Sequence, residues 1–129
     1  MKGLELLESY PLAAKVVRDW FMSQMLESFK DETVPDGFKD YMLQQGIDND
    51  KVSILIDVNP RVLLDVFDEN KIFIETTLYP DDTFTCKIGN QATTNSWKTR
   101  REAEIFAVEA AFEILEKQLT PKEEIDENE

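Results

Sequence analysis

Histidine is absent from this chain of 129 residues. Its absence removes the commonest general base and metal ligand, and with it any Ser-His or Cys-His nucleophile pair within one chain. The single cysteine, Cys86, excludes an internal disulfide, and a closed zinc site needs more thiolates than one. One lone thiol fits a reducing compartment. No stretch approaches the roughly 18 apolar residues of a membrane span. The opening Met1-Lys2-Gly3-Leu4-Glu5 carries an acid where a signal peptide has its apolar run. A cytoplasmic location is expected. Positive charge is scarce as well, with 14 basic side chains against 27 acidic and a formal net charge of −13. Such a chain repels phosphate at long range and is not drawn to anionic membranes, so neither nucleic acid nor a membrane is the expected partner.

The charge is uneven. Residues 1–70 hold 7 basic and 14 acidic groups, a net of −7; residues 71–119 hold 6 and 8, a net of −2; residues 120–129 hold 1 and 5, a net of −4. The last segment has too little apolar content to fold and is expected to be a disordered acidic tail. Residues 1–119 are long enough to form one domain with its own core.

Within that domain the apolar period changes once. Pro11, with Ser9 as a cap before it, opens a helix. Val16, Val17, Trp20, Phe21, Met25 and Phe29 continue it at helical spacing. Met22 and Leu26 flank this stripe, so the helix is apolar on more than one face. Trp20, Met22 and Leu26 are therefore candidates for a surface that meets a protein partner or a second copy of the chain, as in a homodimer. Phe38, Tyr41, Met42 and Gln45 predict a short helix stopped by Gly46. The run Val52 to Val58 reads as helix or buried strand; the Asp48-Asn49-Asp50 cluster favours helix. Asn59-Pro60 announces a fourth helix, Arg61 to Phe67, with Leu63, Leu64 and Phe67 inward. From Ile72 the period becomes two, and Pro80-Asp81-Asp82 is turn chemistry, so Ile72–Tyr79 and Thr83–Ile88 predict an antiparallel hairpin. Cys86 falls on its apolar face as a small buried hydrophobe. Ser96-Trp97-Lys98 supplies an optional third strand. Thr99 and Glu102 form a capping-box pattern, and Ala103, Phe106, Ala107, Ala110, Ala111, Ile114 and Leu115 share one side of the helix that follows, down to Leu119. The fold class is α+β: three to four helices in residues 1–70, then a small antiparallel sheet of two to three strands and a long C-terminal helix packed on it in residues 71–119.

Few residues point to chemistry. Asp48-x-Asp50 and Asp68-x-Asn70 begin like calcium loops, but Val52 and Ile72 stand where the next oxygen ligand belongs. No carboxylate pair stands out as general acid and base. No catalytic residue, metal ligand or cofactor is assigned, and a non-enzyme is expected. Gly46-Ile47, Val52 and Leu55 have the spacing of a helix-turn-helix, although Asp48 and Asp50 at the start of its second helix oppose phosphate.

Thr99, Arg100, Arg101 and Ala103, with Ala107 and Ala111 in register, resemble the last helix of double-stranded-RNA-binding domains, and the preceding hairpin resembles their strands. The resemblance covers about fifty residues. It implies an αβββα unit in which Arg100 and Arg101, with Lys98 beside them, lie across phosphates of the RNA major groove. The chain departs from that family at Glu104, where a third basic residue belongs, and at the Tyr79-Pro80-Asp81-Asp82 loop. The whole chain also looks like small uncharacterised proteins of Bacteroidetes and their phages and mobile elements, a likeness that implies no activity. The reading that follows is a small acidic accessory protein that works by binding another protein. Nucleic-acid binding through the last helix is one alternative. The other is imitation of nucleic acid, in which the negative surface blocks a basic partner.

Overall fold

Asp48 starts a helix: its carboxylate accepts the Lys51 amide at 3.0 Å, and the run through Val58 is helical. The computed structural model describes residues 3–93 and 95–121. In chain order they form α1 (Gly3–Ser9), α2 (Pro11–Ser28), α3 (Asp36–Gln45), α4 (Asn49–Val58), a 3₁₀ turn (Pro60–Leu63) and α5 (Leu64–Glu69). Then come β1 (Ile74–Leu78), β2 (Phe84–Ile88), β3 (Gln91–Ala92) and α6 (Arg100–Leu119). This is the α+β architecture that the periodicity predicts. The acidic tail lies, from residue 122 onward, outside the described residues.

Three local expectations need correcting. Ser9 does not cap the helix at Pro11, because it ends α1; Tyr10 precedes the proline and makes no side-chain cap. The fourth helix is split, with Asn59 capping the 3₁₀ turn through the Arg61 amide at 3.1 Å before α5 begins. The third strand is β3, at residues 91–92. The Ser96–Lys98 stretch contributes only a bridge, in which Trp97 and Phe84 exchange backbone hydrogen bonds of 2.7 and 2.8 Å. Gly89, at φ 62°, turns the chain tightly enough for β3 to pair back onto β2.

The sheet order is β1-β2-β3, all antiparallel, with Ile74 opposite Ile88 and Leu78 opposite Phe84. Helix α6 is the central element. It packs on β1 and β2, and also on α2 and the 3₁₀ turn. Its alanines do as the sequence predicts: Ala103, Ala107 and Ala111 are fully buried. Val108 and Phe112 are also buried, and the Phe112 ring meets Phe67 edge-on at 5.4 Å. The burial is therefore wider than one stripe. Helix α2 reaches the core through its small residues Ala13, Ala14 and Val17, and the Ala13 amide donates to Glu116 of α6 at 2.8 Å. Its larger residues Trp20 and Phe21 only flank the core.

Candidate functional site

The start of α6 is built as its sequence dictates. The Glu102 amide donates to the Thr99 hydroxyl at 3.1 Å, and the Thr99 amide donates to the Glu102 carboxylate at 3.2 Å. This reciprocal box satisfies two of the amides that a helix N-terminus leaves unpaired. The cap fixes where the next two side chains go. Arg100 crosses to the sheet, donating to the Thr76 hydroxyl at 3.0 Å, with its guanidinium carbon 5.2 Å from the Phe84 ring centroid. Arg101 turns the other way. Its two terminal nitrogens donate to the carbonyls of Asp57 at 2.8 Å and Val58 at 3.2 Å. These carbonyls end α4, where a helix leaves acceptors unpaired and its dipole favours a cation.

Both arginines thus hold protein groups, one tying α6 to the sheet and the other tying it to α4. Lys98 is exposed beside them. Glu104, in the family's third basic position, is buried at 5% exposure and receives Arg61 at 3.3 Å. The Asp81-Asp82 turn also organises itself. Asp81 accepts the Thr83 hydroxyl at 2.6 Å and the Thr83 amide at 3.1 Å, and these bonds hold its carboxyl below the usual range.

The interaction residues expected on α2 are divided. Trp20 is half-buried, donates its indole N–H to Glu69 of α5 at 2.9 Å and meets Phe21 edge-on at 5.1 Å. Met22 is half-buried, whereas Leu26 is exposed. Trp20 therefore belongs largely to the α2–α5 seam, and Leu26 alone of the three is fully presented.

A more exposed apolar surface lies on α3, the helix that would come first in a helix-turn-helix. No residue of α3 is buried. Phe38 is 52% exposed and Tyr41 58%, one helical turn apart, and Leu43 is exposed as well. Asp31, Glu32, Asp36 and Asp40, all exposed, surround them in sequence. The one available signal was the pairing of this apolar spacing with so many acids. The packing of one helix on the other that a helix-turn-helix requires is not made, since no α3 residue reaches the core. Helix α4 adds exposed Ile54, Leu55 and Val58.

The calcium-like starts are ordinary helix ends: Asp48 is the α4 cap, and the Asn70 amide group donates to Val66 at 2.8 Å. Among the described residues no cluster of three or more acids or cysteines could hold a metal. A cleft of about 450 Å³ is lined by Glu8, Arg18, Asp48, Asn49 and Asp50, with Arg18 donating to Asn49 at 2.6 Å. Cys86 is buried. Burial raises its thiol pKa, against a smaller opposing effect of the Thr93 hydroxyl, so its nucleophilic form is suppressed. No described helix is long and apolar enough to cross a membrane. Comparisons with protein-family models, with curated proteins and with solved structures find no significant match.

Proposed function

We propose that this chain is a non-enzymatic interaction protein that docks a partner on the exposed face of α3. The observation that carries this reading is the solvent exposure of Phe38 and Tyr41 on a helix with no buried residue. A helix of ten residues is marginal in water without tertiary burial, and aromatic residues anchor interfaces. The acids at 31, 32, 36 and 40 favour a partner whose apolar contact is flanked by lysine or arginine. The engagement of Arg100 and Arg101 with protein groups supports this reading over phosphate binding.

A photo-crosslinking residue placed at position 38 or 41 tests it. Positions 38 and 41 should each yield one dominant protein adduct in cells, while the same residue at exposed position 113 of α6 should not. The adduct should vanish when Phe38→Ser or Tyr41→Ser is combined with the crosslinker at the other site, with the melting temperature unchanged. Equal labelling at all three positions would sink the reading.

A further inference from the structure

Strand β2 is paired along both sides and β1 along one. On one side β2 pairs with the whole of β1; on the other it pairs with β3, with Thr93 through the Cys86 carbonyl at 3.1 Å, and with Trp97. The polarity of β1 follows from its ends. The Gly89 amide donates to the Phe73 carbonyl at 2.7 Å, and the Tyr79 amide donates to Thr83 at 2.8 Å. Residues 73, 75, 77 and 79 therefore turn their backbone groups toward β2. Antiparallel alternation then sends the N–H and C=O groups of Ile74, Thr76 and Leu78 to the outer edge. No described residue hydrogen-bonds to them there.

Edge strands are normally guarded by charged side chains, lysine above all, by proline or by a bulge. Residues 74–78, Ile-Glu-Thr-Thr-Leu, contain neither lysine nor proline and a single charge, Glu75, and their pairing with β2 runs without a bulge. The strand is also self-complementary. A twofold axis through Thr76 sets Ile74 opposite Leu78 of a second copy and Thr76 opposite Thr76. On the other face it sets Phe73 opposite Tyr79 and Glu75 opposite Thr77. Phe73 at 49%, Tyr79 at 48% and Leu78 at 55% exposure would each gain an apolar partner, and aromatic pairs are among the favourable cross-strand contacts. Glu75 stands opposite Lys87 of β2 in the register, so a cation of its own sheet lies beside it. The segment 71–119 also carries only −2 of the chain's −13.

We propose that the outer edge of β1 is a self-pairing surface, on which two copies join β1 to β1 antiparallel about Thr76 in a continuous six-stranded sheet. The occupant is a second copy because this register opposes no like charges directly and satisfies all three unpaired residues at once. Arg100, which reaches Thr76, comes near its own copy at the axis, and each chain carries −13. The dimer therefore tightens as salt screens both repulsions.

Sedimentation equilibrium of the full chain tests the register. A dimer should appear as concentration rises toward about 500 µM in about 0.5 M salt. Thr77 is exposed, so its substitution spares the core. Thr77→Glu opposes Glu75 of the second copy twice and should weaken the dimer about fivefold, and Thr77→Lys should tighten it by a similar factor. A chain that stays monomeric under these conditions would overturn the proposal. So would a dimer indifferent to both Thr77 substitutions, which would sit on another surface. The α3 reading stands or falls separately, because Phe38→Ser leaves β1 untouched.

Discussion

Two of Arg101's donors are committed to the carbonyls that end α4. Arg101→Ala should cost about 1 kcal/mol in urea unfolding, the worth of a hydrogen bond with a charged donor at a helix C-terminus. Arg101→Lys should recover only part of it, since an ammonium lacks the planar fork that spans two acceptors. Arg100 was as legible in sequence as Arg101, yet which group each would meet was not. The Thr99–Glu102 box specifies where the helix starts, while the target of a long flexible side chain depends on the neighbours that the fold supplies. Cys86 was legible, because its place on the apolar face of a strand is a matter of alternation. Its thiol pKa is raised in the fold by burial. The neutral thiol thus contributes stability that is fully present below the ordinary thiol pKa, about 8.5, and lost as pH rises through the folded value. The unfolding free energy of the wild type should fall more steeply above about pH 8.5 than that of Cys86→Ala; parallel curves would contradict this.

Among the elements, α1 was invisible in sequence; Leu6 and Leu7 seat it in the core, and its first residue makes one close approach to α4. A Cβ on Gly3 would lie 2.9 Å from the Ser53 carbonyl oxygen and 3.0 Å from the Ser53 Cα, both backbone atoms of α4. The Gly3 amide donates to Asp57 at 2.8 Å. Gly3→Ala should therefore lift α1 from α4 and destabilise the fold by about 1–3 kcal/mol, measured by chemical denaturation. Seven residues with a glycine at their start give no periodic signal that could have predicted this docking. The hairpin and α6 were legible because a change of period and a capping box are local codes. The β3 position was not, because a two-residue pairing is set by the turn at Gly89 and not by alternation. Helix α3 was read correctly as a helix, but its exposure was not, since apolar spacing looks the same whether the stripe is buried or bare. With no buried side chain, α3 should exchange its amide hydrogens much faster than α6, whose opening requires loss of the core. Equal protection of the two helices would argue against this.

At the level of the whole molecule, charge and burial are partitioned. The helical part, residues 1–70, carries most of the negative charge, whereas residues 71–119 carry little. The helix α6 is where both parts meet: Ala103, Ala107, Val108, Ala111, Phe112 and Leu115 are all buried, against strands on one flank and against α2 and the 3₁₀ turn on the other. That central position has a consequence for the order in which the molecule is made. Synthesis runs from the N-terminus, so Val17, Phe67 and Ile88 emerge before the helix that buries them. Neither the sheet nor the helical layer has a complete core until residue 119 has left the ribosome. Nascent chains stalled before Arg100 should be cut rapidly by protease, and chains long enough to expose residues 100–119 should become resistant in a single step. Most of the chain must therefore wait, unfolded and acidic, for its final helix.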